Sequence, residues 1–341
     1  MTGMIDRGAS VVYLTEFARP WLDDAEVTEV AVNRPGELWA LRSSVWERHE
    51  LMGLTLQQLD SLATAVAKFV SNDINDVRPV LSAVLTNGER IQIVIPPACE
   101  HSTLSLTIRK PSPVLMSMDD YQRSGFFDNV KTTNDDLTDN ERKLVDLKSS
   151  GNIHQFLIDA VKTGNTVVIA GETNSGKTTL MKALMQQIPT TQRIITAEDV
   201  PELFLPNHPN HVHLFYQTAS AAADSAEVSA TDLLKCSLRM NPDRIMLAEL
   251  RGGETYDFLN IAASGHSGSM TSVHAGSCAL AFERMALMVL QSQQGRALPY
   301  EVIRRLLVQV VDVVVHVNND TGSRYITGVW YEPEAKRGAL S

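Results

Sequence analysis

Residues 171–178 read Gly171-Glu172-Thr173-Asn174-Ser175-Gly176-Lys177-Thr178, with Thr179 next, and match G-x-x-x-x-G-K-[ST] at every fixed position. Glycines let the backbone fold into a nest whose N–H groups point at phosphate oxygens. A helix beginning here adds the positive potential of its N-terminus. Lys177 is long enough to reach a β- or γ-phosphate, and the Thr178 hydroxyl can ligate Mg²⁺. The chemistry this spacing serves is the binding of ATP with Mg²⁺. A Gly-rich turn without a ligand is the competing reading. The flanks speak against it: the apolar run Thr166–Ala170 precedes the segment and a helical pattern, Lys177–Ile188, follows.

Two carboxylate sites lie downstream. Glu198-Asp199 follows the apolar run Arg193–Ala197, and Glu249 follows Arg244–Ala248. Residues at the carboxyl ends of parallel strands face the ligand crevice of an open α/β sheet. Acids there can hold Mg²⁺ and orient an attacking water; solvated strand-end carboxylates are the alternative. Further on, Ser264 to Ala275 is rich in small residues and carries His266 and His274. Their spacing is not that of a usual metal site. A strand-end loop that senses a γ-phosphate is one reading, and a histidine that only packs or caps is the other.

The elements that must position these groups fall into two halves. Val27–Asn33 alternates apolar and polar residues, Arg34-Pro35-Gly36-Glu37 is a turn, and Leu38–Leu41 resumes a strand. Leu56–Val70 has helical spacing, Val80–Leu85 and Arg90–Ile95 flank Asn87-Gly88, and Leu104–Ile108 is a further strand. This half is α+β. Pro111, Pro113, Asp119, Asp120, Asp128, Asp135, Asp136 and Asp139 mark a linker up to about Asn152. Beyond it, buried strands alternate with helices, which predicts a doubly wound α/β domain. A hairpin around Asn319-Asp320-Thr321-Gly322 closes the chain.

Composition narrows the classes. The 341 residues suit about two domains, and 44% hydrophobic residues suffice for real cores. A net charge of −10 argues against a surface that grips nucleic acid, such as a helicase's, and no aromatic–basic stripe is present. Cys99, Cys236 and Cys278 form no disulfide framework and no CxxC pair, as expected for reduced thiols in the cytosol. Met1 to Ser10, which includes Asp6 and Arg7, has no apolar core of a signal peptide. Leu306–Val317 is interrupted by Gln309, Asp312 and His316 and is too short to span a bilayer, so a soluble protein is expected.

Four segments in order resemble the secretion-ATPase superfamily, and within it the hexameric traffic ATPases of bacterial type IV secretion and conjugation. They are the phosphate loop, the acidic stretch Arg193 to Leu203, the stretch Ser237 to Glu254 with Glu249-Leu250-Arg251-Gly252, and the histidine stretch Gly265 to Ala275. Upstream, Val32 to Trp39 and Ile108-Arg109-Lys110-Pro111 are similar to that family's N-terminal domain. The resemblance covers nearly the whole chain. It implies an N-terminal α+β domain with an antiparallel sheet (1–112), a linker (113–150) and a RecA-like P-loop ATPase domain (151–341) with its terminal hairpin.

It also implies roles. Glu249 becomes the catalytic base or water-positioning group. Glu198 supports Mg²⁺ and water, completing a metal set with Thr178 and Glu249. His266 and His274 sense the γ-phosphate, and Arg90 and Arg109 reach it from the N-terminal domain. Arg239 and Arg251 match the family without an assignable job. The run before Glu249 lacks the terminal Asp of many P-loop enzymes, and Ala248 stands where relatives often have Gly. The implied mechanism binds ATP between the two domains of one chain, and hydrolysis swings the N-terminal domain within a ring of six. Implied partners are other secretion ATPases and inner-membrane channel proteins, from a cytoplasmic, peripheral position. A nucleotide-gated assembly scaffold and a type II secretion or pilus motor remain as alternatives. The pilus branch often carries a four-cysteine metal module, which three scattered cysteines cannot build.

Overall fold

The inner strands formed by the first hundred or so residues are buried along most of their length, and the two edge strands keep most of the exposed positions. A computed structural model describes residues 7–112, 115–130, 136–217 and 228–338. Of the positions named above, Met1 to Asp6, Pro113 and Asp135 lie outside them. The strands β1 (Val27–Val32), β2 (Glu37–Arg42), β3 (Val45–Glu50), β4 (Val80–Val84), β5 (Arg90–Val94) and β6 (Ser105–Arg109) form a sheet of order β3-β2-β1-β6-β5-β4. Every pairing in it is antiparallel. Helix α1 (Arg7–Leu14) and helix α2 (Leu56–Phe69) pack together against it. Thr55 caps α2 by accepting from Gln58 N, and the Gln58 side chain accepts from Thr55 N. Leu59, Leu62, Ala63, Val66 and Ala67 form its buried stripe. Strand β3 and α1 go beyond the sequence reading. The residues of β3, Val45-Trp46-Glu47-Arg48-His49-Glu50, are mostly polar and lie at a sheet edge.

The second half is built on strands of which the inner ones read as apolar runs because both faces are covered, while the last, at the sheet edge, is exposed or half-buried along its length. These are β7 (Val167–Gly171), β8 (Ile194–Glu198), β9 (His211–Phe215), β10 (Arg244–Leu250), β11 (Met270–Val273), β12 (Val313–Asp320) and β13 (Ser323–Trp330), in the order β13-β12-β7-β11-β10-β8-β9. All pairings are parallel except β12 with β13. β7 and β8 are buried throughout. Helix α3 (Asp139–Ser149) falls within the stretch read as linker. Its Leu144 is buried in the same cluster as Phe156, Val167 and Ile169. Among the described residues no helix is long and apolar enough to cross a membrane.

The two sheets meet along β9, the edge strand of the parallel sheet. Phe215 N donates to Ala98 O at 2.9 Å, and Cys99 bridges Leu214. Val94, Ala98 and Cys99 share one core with Val212, Leu214 and Leu234. At the other end of β9, Asn33 Nδ2 donates to Asn210 Oδ1 at 3.0 Å. The fully buried Arg193 donates to Asn33 Oδ1, Asn210 Oδ1 and Met240 O at 2.8, 2.5 and 2.9 Å.

Candidate active site

β7 ends at Gly171 and helix α4 (Lys177–Met185) begins six residues later. The loop between them needs two left-handed residues, Asn174 (φ 61°) and Gly176 (φ 98°). Asparagine and glycine are the types that adopt this conformation at least cost. A Cβ at Gly171 would lie 2.5 Å from Val317 O, so only glycine lets β12 pass this closely. Lys177 is buried, its Nζ donating to Glu172 O at 2.8 Å and lying 3.4 Å from His274 Nδ1. Burial lowers the pKa of its ammonium, and the Glu249 carboxylate opposes this.

Sheet order explains what stands next to the loop. Crossing from β7 to β11, β10 and β8, each carboxyl end contributes one or two polar side chains. His274 follows β11, and its Nε2 lies 2.7 Å from Glu249 Oε1. Glu249 Oε2 accepts from Arg251 Nε at 2.9 Å. Arg251 also donates to Asp199, which follows β8. Burial works against the Arg251 charge, but Glu249 and Asp199 outweigh it and raise its pKa. The result is one continuous polar chain, Lys177–His274–Glu249–Arg251–Asp199, with the Glu249 side chain only 15% exposed. Glu249 belongs to β10 itself, because the strand runs to Leu250 rather than stopping at Ala248. Thr178, in the first turn of α4, and Thr179 complete the loop side.

The structure does not gather every residue singled out. Glu198 is the last residue of β8 and is completely buried. Its Oε2 accepts from Glu202 N and Leu203 N at 2.8 and 2.7 Å, and its Oε1 accepts from Thr196 Oγ1 at 2.6 Å. His213 Nδ1 lies 3.2 Å from the same oxygen. Both oxygens are thus committed to holding the turn after β8, and the carboxylate in the polar chain is its neighbour, Asp199. Glu198 is therefore not placed to share a metal with Thr178 and Glu249.

His266 precedes β11 and contacts Pro242 O at 2.9 Å, on the amino edge of the sheet. A four-residue strand, about 13 Å long, separates that edge from His274. Arg90 and Arg109 are opposite each other on β5 and β6. They line a cavity of about 560 Å³ with Glu29, Arg239 and Asn241, the last two just before β10. That too is the amino edge, and it lies on the β9 side of the sheet, several strands from β7. Within one chain neither arginine stands beside its own phosphate loop, so a nucleotide clasped between the two domains of a single chain is not what this arrangement builds.

Sequence reasoning missed the partners of the loop that come from far along the chain. Asn319 Nδ2 donates to Asn174 O at 3.2 Å, and Arg324 lies against Gly176. No local pattern joins residues about 145 positions apart; only the β7–β12 pairing does.

Parallel strands, a phosphate loop and strand-end acids define a RecA-like P-loop nucleotide-binding protein. Residues 139–320, more than half of the chain, match the family described as type II/IV secretion system protein, and the chain belongs to that family. It is 60% identical over 340 residues, 99% of this chain and 94% of the relative, to the type IV secretion system protein VirB11 of Brucella abortus. It is 45% identical over 334 residues, 96% of each chain, to the type IV secretion system protein PtlH of Bordetella pertussis. The crystal structure of the VirB11 ATPase from the Brucella suis type IV secretion system, in complex with sulphate, is 59% identical. It superposes with a TM-score of 0.92 over 96% of this chain and 99% of that one. The chain is thus a homologue of type IV secretion ATPases.

Proposed function

We propose that this chain is an Mg²⁺-dependent ATPase that powers a type IV secretion system. The observation that carries the reading is the polar chain across the carboxyl edge. It joins the loop lysine to an acid, Glu249, in a place where an attacking water can be oriented. The loop N–H groups and Lys177 hold the phosphates, and Glu249 positions and deprotonates the water. His274 ties the two together and registers whether a γ-phosphate is present. Mg²⁺, held by the Thr178 hydroxyl with Glu249 nearby, would neutralise phosphate charge. Glu198 acts indirectly, by fixing the turn that presents Asp199.

The same reading divides the chain at 1–112, 113–150 and 151–341, with α3 riding on the ATPase core. It assembles six chains in a ring. Arg90 and Arg109 then act on a phosphate loop that belongs to another chain, and hydrolysis drives movement of the N-terminal domains. Contacts with other secretion ATPases and channel proteins would hold the ring at the inner membrane.

The test is phosphate release per subunit against protein concentration, for the wild type and Glu249→Gln. A specific rate that climbs with assembly and vanishes in the variant is expected. A flat rate would remove the ring from the mechanism, and no release above the variant at any concentration would overturn the hydrolytic reading.

A further inference from the structure

The terminal hairpin overhangs the phosphate loop. β12 pairs in parallel with β7 as far as Val317 opposite Gly171. There β7 ends and the loop begins, but β12 continues for three residues to Asp320. Three strand residues span about 10 Å. Thr321 and Gly322 (φ 49° and 90°) make a two-residue turn of the kind that returns a strand with the native twist. β13 comes back with Arg324 opposite Asn319.

Two contacts fix the overhang on the loop. Asn319 Nδ2 donates to Asn174 O at 3.2 Å, while its Oδ1 accepts from Gly322 N at 3.2 Å. A Cβ built on Gly176 would lie 3.0 Å from Arg324 Cδ and 3.6 Å from its Nε. The apolar stem of Arg324 therefore lies on the loop glycine, which carries its guanidinium to the mouth of the phosphate cradle. Arg324 is exposed and makes no ion pair among the described residues. Lys177, by contrast, is already held by Glu172 O.

Arg324, Lys177 and the amino end of α4 are all positive and converge on the loop, and the hairpin's own carboxylate, Asp320 opposite Ser323, forms no ion pair with Arg324 among the described residues. Such an arrangement repels itself until an anion arrives, and a guanidinium offers several donors to phosphate oxygens at once.

We propose that Arg324 is a phosphate-contacting residue of the nucleotide site: its guanidinium binds oxygens of a nucleoside di- or triphosphate seated in the loop, and Asn319 docks the hairpin that carries it. The proposal rests on the reading of the loop as an ATP site.

The test measures binding of a fluorescent ADP analogue and steady-state hydrolysis for the full chain carrying Arg324→Gln, Arg324→Lys, Asn319→Ala or Lys177→Ala. Arg324→Gln is expected to weaken ADP about tenfold and raise KM for ATP alike, with kcat changed less than about threefold, and to flatten the salt dependence of binding. Arg324→Lys should recover part of the affinity, and Asn319→Ala should lose about threefold. If Arg324→Gln melts early, Arg324→Met decides, because it keeps the stem on Gly176 and removes only the charge. Wild-type affinity in the uncharged variant, with binding lost in Lys177→Ala, overturns the proposal alone. Wild-type affinity in both would overturn the ATP reading of the loop as well.

Discussion

The two edges of the parallel sheet carry similar residue types and use them in opposite ways. At the carboxyl edge, Lys177, His274, Glu249, Arg251 and Asp199 touch one another in turn, and His274 and Arg251 remain partly exposed. At the amino edge, Arg193 and Arg244 are buried and spend their donors on the protein itself. Arg193 reaches Met240 O, Asn33 and Asn210. Arg244 donates to Val161 O at 2.6 Å and to Gln192 Oε1 at 2.7 Å. Burial pushes both guanidiniums down to about 10, so they stay charged at neutral pH. The difference teaches what strand direction does. Carboxyl ends open into loops and helix N-termini whose N–H groups face outward, whereas amino ends here are used as fasteners. One edge is built to change its contacts and the other to keep them.

The largest expected effect breaks the fastening edge. Arg193→Met should cost about 3–5 kcal/mol in urea unfolding, because it leaves Asn33, Asn210 and the neighbouring Glu29 without their buried cation. An unchanged unfolding midpoint would mean that this edge fastens nothing.

At the open edge, Glu249→Gln should lower the rate of phosphate release by about 10²–10³-fold, the scale of losing one well-placed charged group. Its unfolding midpoint should stay near wild type. A large fall in stability instead would make Glu249 a structural residue like Arg193.

Glu29 sharpens the comparison through pH. Burial raises its carboxyl from 4.5 to about 7, with Arg193 and Arg109 pulling the other way. Its folded pKa lies above its unfolded value, so the native state holds the extra proton between about pH 4.5 and 7. Stability should therefore fall as pH rises through that window, by about 1 kcal/mol per pH unit. Glu29→Gln should flatten the slope in chemical denaturation series at pH 5, 6 and 7. An identical slope in the variant would show that the carboxylate is ionised throughout.

The smallest effects separate the two histidines. His274→Ala should slow hydrolysis about tenfold, since it removes the link between Lys177 and Glu249. His266→Ala, on the other edge, should change it less than about threefold, measured at dilutions where chains do not assemble. Equal losses would erase the distinction between the edges.

Much of this was legible in the sequence. Local spacing identified the phosphate loop, since the two glycines, Lys177 and Thr178 sit within eight residues between a strand and a helix. The buried strands β7, β8 and β10 showed as apolar runs because both faces are covered. Glu249 was readable for the same reason, as an acid at the end of such a run. Glu198 has an almost identical sequence signature, yet it turns inward to hold backbone N–H groups, and its neighbour Asp199 faces the site. Successive strand residues point to opposite faces, so one position decides this, and strand periodicity cannot say where the strand stops.

Composition and spacing thus determined the two-part α/β architecture, the phosphate-binding loop and the set of strand-end acids. Tertiary structure alone decided the rest. Sheet order made neighbours of Lys177, His274, Glu249 and Asp199, strand direction sent His266 to the far edge, and the docking of the first sheet along β9 put Arg90 and Arg109 there. A strand three residues longer than its partner laid Arg324 over the loop. The physical reason is common to all of these. Loops, caps and apolar periodicity act over a few residues, whereas strand order and register are fixed by burying whole faces at once.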